Sequence, residues 1–556
     1  MRVPSSVLCY FLPLLLACCA AKKSYVVYMG AHSHDPAQLS PLHFNRVTHS
    51  HHQFLQSFLE SYDAAKESIF YSYTRHINGF AAILEEEVAV EIAKHPKVIS
   101  VFENRERKLH TTRSWEFMGL EQNGEVTWNS IWKKARYGEG VIIGNLDTGV
   151  WPESESFNEK GFGPIPSKWR GICDHGSDPT FHCNSVLCLN GTLDPKKVKG
   201  KIVLCLRGSS SRAEKGEEAL LAGAVGMVLA NDKIDGNEIL ADPHLLPASH
   251  VNFTDGLAIF DYINSTKFPV AYITYPKTLL HTKPAPFMAS FSSKGPNILV
   301  PEILKPDITA PGVSVIAAYT EAQGPTNEKF DKRRIPYNSL SGTSMSCPHI
   351  SGIVGLLKTM YPSWSPAAIK SAIMTTATTL DNEAEPLLNA ANRKATPFSY
   401  GAGHVDPNSA MDPGLVYDTT MDDYLNFLCA LGYHETQLSM FTEGHHYKCA
   451  TNFSILNLNY PSITVPEFPG SLTLTRTLKN VGAPATYIAQ VQNPRGISVF
   501  VKPNILEFKE VGEEKSFEVT LKGRQGEARN NHFKFGKLIW SDGNHYVKSP
   551  IVVKSN

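Results

Sequence analysis

The chain has 556 residues, of which 42% are hydrophobic and 19% charged, which is more than one domain holds and enough apolar material for sizeable cores. Lys plus Arg and Asp plus Glu stand at 53 each. No basic excess therefore argues for nucleic acid, and no single-sign field argues for steering to a charged surface. The amino end reads as a secretory signal over 1–21: Arg2, an apolar run from Val7 to Ala17, then small residues through Ala20 and Ala21. That run is too short to span a bilayer easily, and no later stretch is long and apolar enough to do so.

From Ser24 to about Val101 the pattern alternates between strand and helix. Strands are expected at Tyr25–Met29, Ile69–Tyr73 and Val98–Phe102. A helix is expected over His43–Tyr62 with Phe54, Leu55, Phe58 and Leu59 on one side, and another over Glu85–Lys94, ended before Pro96. His49, His51 and His52 read as surface histidines of the first helix, because no cysteine or carboxylate cluster accompanies them. Gly140–Val150 is a continuous apolar run that ends on Asp147, Thr148 and Gly149, the pattern of a fully buried parallel strand. Ligand chemistry in parallel sheets gathers at the carboxyl ends of strands. There a carboxylate can fix the tautomer of a histidine and stabilise its imidazolium. An aspartate that only initiates a turn fits Asp147 equally well.

Leu187 to about Leu280 has βαβ character. Strands are expected at Lys201–Leu206, Val225–Leu229 and Val270–Ile273, and helices at Ala213–Leu221 and Asp255–Ile263. Gly223 to Gly226 lacks the signature of a phosphate loop. Further on stands Ser339-Leu340-Ser341-Gly342-Thr343-Ser344-Met345-Ser346-Cys347-Pro348-His349, followed by Ile350, Ile353, Val354, Leu356, Leu357 and Met360 at helical spacing. Ser344 thus falls where a helix begins, near unpaired N–H groups and the positive end of the helix dipole. Those groups suit a nucleophile whose product is an oxyanion. A plain N-cap serine is the alternative. Ser365 and Pro366 open a further helix that runs to about Thr376. After about Leu458 the period becomes two, with Leu472 and Leu474, then Tyr487, Ala489 and Val491, then Phe517, Val519 and Leu521 alternating with polar residues, as in an all-β sandwich.

The serine string closely resembles the serine motif of plant-type subtilisin-like proteases, and Asp147 with the following Trp151–Phe157 resembles their aspartate motif. Gly79–Ala82 is similar to part of their inhibitory propeptide, Thr111–Leu120 to the start of their mature enzyme, and 185–286 to their protease-associated insert. The resemblance implies a multidomain chain. Its parts are a signal peptide (1–21), a small α+β propeptide (22–110), an α/β catalytic domain in two pieces (111–184 with Asp147, 287–457 with Ser344), an α/β protease-associated insert (185–286) and a fibronectin-III-like all-β sandwich (458–556). It also implies a secreted, glycosylated serine endopeptidase of the cell wall space. Such an enzyme is made as a zymogen, acts on protein or peptide substrates, engages its own propeptide, and possesses an insert that can mediate a homodimer. No cofactor or metal is expected.

The pattern breaks after Asn184. The family next carries a His-Gly-Thr-His motif with the catalytic histidine, and later an asparagine of the oxyanion hole; here the chain passes directly to Ser185–Leu189. The catalytic domain is therefore read as incomplete. His175 fits the family's cysteine loop, and His349 lies five residues beyond Ser344 on the same helix, around from the nucleophile. Three readings are open: an active endopeptidase, a folded but inactive relative that binds peptides or partners, or a truncated splice or gene-model product. The inactive form of the family design is favoured.

Cys9, Cys18 and Cys19 leave with the signal. By proximity Cys173 pairs with Cys183, Cys188 with Cys205 and Cys429 with Cys449, although spacing does not determine connectivity. Cys347 is left over and expected to be buried in the serine helix. Glycosylation sequons begin at Asn190, Asn252, Asn264 and Asn452.

Overall fold

The computed structural model describes residues 22–30, 41–59, 61–74, 78–103, 114–147, 150–151, 153–157, 188, 193–274, 282–442, 446–451, 453–524 and 532–555. The signal segment, His175, Cys173, Cys183, Asn190, Asn452 and the junction at Thr111 lie outside them. The chain divides into two compact units, one of residues 1–106 and 428–452, the other of 107–427 and 453–556.

In the first unit, strands Lys23–Gly30, Ile69–Tyr73, Asn78–Leu84 and Ser100–Glu103 form an antiparallel sheet, with Lys23–Gly30 and Asn78–Leu84 at its centre. Val27, Phe80, Ala82 and Leu84 bury one face against Leu55, Ala65 and Ile92. The single helix expected over His43–Tyr62 is two, Pro41–Gln56 and Tyr62–Ser68. Ser61 divides them, because its side chain accepts the Ala64 N–H and so caps a new helix. His51 is not on the surface. It is buried, its Nε2 is 2.9 Å from Asn78 Oδ1, and its ring lies 5.6 Å from that of Phe80. A histidine can be buried in this way because Asn78 supplies a partner for its ring nitrogen. Cys429 and Cys449 form a disulfide.

In the second unit, the insert is a parallel ladder of Ile202–Leu206, Gly226–Ala230 and Ala248–Val251. Helix Arg212–Leu221 begins with a reciprocal cap between Ser211 and Glu214. Cys188 is bonded to Cys205 on the first strand. Lys215 is fully buried and donates to Gly208 O and Ser210 Oγ; burial pushes its pKa down to about 8. The strand expected at Val270–Ile273 does not form. The Tyr262 hydroxyl accepts from Val270 N–H (3.0 Å) and donates to Val270 O (3.2 Å), so a side chain takes the place of a ladder neighbour. Glu238, almost fully buried, ties the insert to the segment that follows it by accepting from both Ser290 N–H and Ser290 Oγ.

The C-terminal residues form a sandwich of two sheets. The larger holds Ile463–Phe468, Tyr546–Ser555, Phe533–Ser541, Ala485–Gln492 and Ile505–Phe508 in that order. The smaller begins with the short strand Leu415–Val416, followed by Ser471–Asn480, Glu514–Gly523 and Ile497–Lys502. The expected alternation is visible: Leu474, Tyr487, Phe517, Val519 and Leu521 face the core, where Phe517 meets Trp540 edge to face at 5.0 Å. Arg476 is fully buried and donates to Leu456 O, Tyr460 O and Ser462 O; burial lowers its pKa to about 10, which leaves it charged at neutral pH.

The sandwich core extends upstream of Leu458, because Leu415 and Tyr417 are buried within it. Burial of one such side chain contributes about 1.5–3 kcal/mol. A fragment beginning at Asp412 is expected to unfold several degrees above one beginning at Leu458; equal midpoints in thermal melts would contradict the shared core. His545 joins the same two stretches, with Nδ1 2.7 Å from Asp542 and Nε2 3.3 Å from Asp412. Burial pulls its pKa down, but the two carboxylates outweigh this and the net shift is upward from 6.5. The imidazolium therefore stabilises the fold fully below about pH 6.5, and the contribution is lost as pH rises through the raised folded value. Urea midpoints should fall between about pH 6 and 9 in the native chain more than in His545→Gln.

Candidate active site

Strand Tyr337–Leu340 pairs antiparallel with Val315–Ala318 and leads through Ser341 and Gly342 into helix Thr343–Met360. The start of this helix is fixed from the side by the loop at 310–314. Gly342 N–H donates to Gly312 O (2.8 Å), Ser346 Oγ to Ala310 O (2.8 Å), and Ser314 N–H to Ser341 Oγ (2.7 Å). The approach is close enough to require glycine at 312, since a Cβ there would lie 2.7 Å from Ser346 Oγ and 2.9 Å from Gly342 O. Ser344 is half-buried at the second helical position, where the backbone N–H groups of the first turn point outward. Four residues on, Pro348 has no N–H to offer the Ser344 carbonyl. Among the described residues, none hydrogen-bonds the Ser344 hydroxyl.

Asp147 is exposed, and residues 141–146 form no strand. This departs from the expected buried strand. Ile142 and Ile143 are about half exposed, and Leu146 is 95% exposed. The cause is the lack of neighbours. A parallel strand is held by ladders on both sides, whereas the sheets of the described catalytic residues are two-stranded: Val315–Ala318 with Tyr337–Leu340, and Phe287–Met288 with Leu388–Asn389. What holds the segment is the serine helix. Ile143 packs where a Cβ on Gly355 would lie 2.5 Å from its Cδ1. Asn145 Oδ1 accepts from Ser351 Oγ (3.0 Å), with Cys347 Sγ at 3.8 Å. The segment thus runs against the helix direction, and Asp147 comes at the end that carries Ser344.

No histidine of the described residues joins them. His349 Nδ1 donates to Met345 O, and its Nε2 accepts from Ser114 Oγ. Both nitrogens are engaged away from Ser344, and burial pushes the ring's pKa down. His404 is buried beside Phe117, with Nδ1 on Val405 O, and burial lowers its pKa to about 4.

Sequence reasoning missed a cavity of about 650 Å³ between the segment and the helix, lined by Val141, Ile143, Ile308, Ile350, Val354 and Gly355 among others. No local pattern in the sequence announces it. Cys347 lines the same space and is exposed, contrary to expectation, because among the described residues no sheet covers the face of the helix on which it stands.

Comparison with known proteins accords with this arrangement. A fibronectin type-III domain matches 457–553, the subtilase family 218–403, peptidase inhibitor I9 24–110, and a PA domain 172–259. Subtilisin-like protease SBT5.4 of Arabidopsis thaliana is 42% identical over 742 aligned positions, covering 96% of this chain and 95% of the relative. The chain belongs to the subtilase family. Subtilisin-like protease SBT5.3 of Arabidopsis thaliana is likewise 42% identical over 744 positions (96% of each chain), and Subtilisin-like protease Glyma18g48580 of Glycine max 36% over 772 (97% of each). By family the subtilase is a serine-type endopeptidase. An alignment of 742 positions on 556 residues closes only with long gaps opposite the relative.

An exposed Cys347 should react with a maleimide in the native protein without denaturant, and Cys347→Ser should remove that labelling. Labelling that requires denaturant would contradict the exposed placement.

Proposed function

We propose that this chain carries the subtilase design without a working hydrolytic centre. In a working centre Ser344 attacks the peptide carbonyl, a histidine moves the proton, and Asp147 orients that histidine. The observation that carries the reading is the isolation of Ser344. Its hydroxyl meets no base among the described residues, and His349 and His404 are committed elsewhere. The gapped alignments support the same view, as does the sequence step from Asn184 to Ser185 without the family's histidine motif. Loss of the histidine alone costs a serine triad about 10⁶-fold in kcat. Residues 1–21 direct the chain into the secretory pathway and so to the cell exterior, and the peptidase inhibitor segment stays attached as its own ligand. Peptide or partner binding is what remains to such a chain.

The purified protein should not label with a fluorophosphonate, since Ser344 behaves as an ordinary alcohol. Stoichiometric labelling lost in Ser344→Ala would overturn the proposal. N-terminal sequencing of the secreted product should begin near Lys22. A start at Thr111 or Thr112 that disappears in Ser344→Ala would reveal self-cleavage and defeat the reading; the same start surviving that substitution would identify another protease acting in trans.

A further inference from the structure

Helix Phe253–Ser265 of the insert touches its own ladder narrowly. Gly256 is its buried residue, set where a Cβ would lie 2.6 Å from that of Ala230. The same helix carries large apolar groups in solvent beside it: Leu257 is 48% exposed and Phe260 54%. The segment held beside the helix by Tyr262 carries Phe268, Val270 and Tyr272, each more than three-quarters exposed. A soluble surface seldom leaves large apolar groups such as Leu257 and Phe260 side by side in solvent.

Asn264 is exposed on the same helix and opens the sequence Asn264-Ser265-Thr266. Residues three, four and seven apart share one helical stripe, so Leu257, Phe260 and Asn264 lie in a row with about 5–6 Å between successive Cβ atoms. We propose that Asn264 bears an N-linked glycan whose first sugars lie over Phe260 and Leu257 and cover this face. The carbohydrate suits the site, since pyranose rings present C–H faces to an aromatic ring and hydroxyls to water. The inference rests on entry of the chain into the secretory pathway. Asn252 reports on that entry independently: its Oδ1 caps the helix by accepting the Asp255 N–H (2.8 Å), which leaves its amide nitrogen clear for a sugar.

The test expresses the full chain in a eukaryotic secretory host, cellular and secreted fractions together, and maps sugars by peptide mass after enzymatic amidase release, which converts a glycosylated asparagine to aspartate. Asn264 is expected to be occupied. Release of the glycans from the native protein is expected to raise the fluorescence of a bis-anilinonaphthalene dye several-fold, and the double variant Leu257→Ser, Phe260→Ser to remove most of that rise. Asn252 occupied with Asn264 bare would overturn the proposal alone, whereas both bare would overturn it together with the secretory reading. An occupied Asn264 whose release leaves the dye signal unchanged would overturn the covering role. A patch shielded only in a dimer, seen as dye exclusion that depends on protein concentration, would assign the face to a second copy instead.

Discussion

The two sides of helix Thr343–Met360 have different neighbours, and much of the catalytic region is shaped by that asymmetry. One side buries Ile353, Leu356 and Leu357 with Ile131, Ile369, Ile373 and Val405 in a continuous core. That side positions the helix and, with the loop at 310–314, its first turn. The other side, with Cys347, Ser351 and Gly355, meets among the described residues the irregular segment at 141–146 and a cavity, which Ile350 and Val354 border from the core. Helices of this kind are ordinarily sandwiched against a parallel sheet. Here the helix is held firmly from behind while its front remains open, so Ser344 is fixed in place at the edge of a space that the described residues leave unfilled.

The local elements of the chain were legible wherever the signal was self-contained. Ser365 accepts the Ala368 N–H with Pro366 first in the helix, as its sequence implies. The alternation around Phe517 and Leu521 marked the inward face of the sandwich, because strand pairing there involves neighbours present in the same chain. The same reasoning failed at Gly140–Val150. Its residues specify a buried strand as strongly as any in the chain, but an apolar run describes what a segment requires and not what the chain provides. Val270–Ile273 failed through competition, with one tyrosine hydroxyl satisfying both backbone groups of Val270. His51 shows that helical position alone does not report exposure, since its burial depends on Asn78, a residue of a strand that the pattern did not reveal.

The candidate site was readable in part. The motif around Ser344 and the run ending at Asp147 carried chemistry in their residue types, and the structure brings both to one helix, the first within it and the second at the end of a segment laid along it. The cavity and the exposed thiol of Cys347 were not readable. Both arise from the relation between distant parts of the chain, and neither has a local pattern. The tie between the insert and the segment that follows it, made by Glu238 with Ser290, belongs to the same class.

The strand Tyr546–Ser555 lies inside its sheet, paired parallel with Ile463–Phe468 on one side and antiparallel with Phe533–Ser541 on the other. Its Lys548 also donates to Thr376 O and Ala377 O, at the end of helix Pro366–Thr376. Residues 546–555 therefore close the sandwich and bind it to a helix some 170 residues upstream. During translation the earlier strands and that helix wait for this one segment before either is fully paired. A chain cut just before Tyr546 would lose an interior strand and leave the facing edges of Ile463–Phe468 and Phe533–Ser541 open.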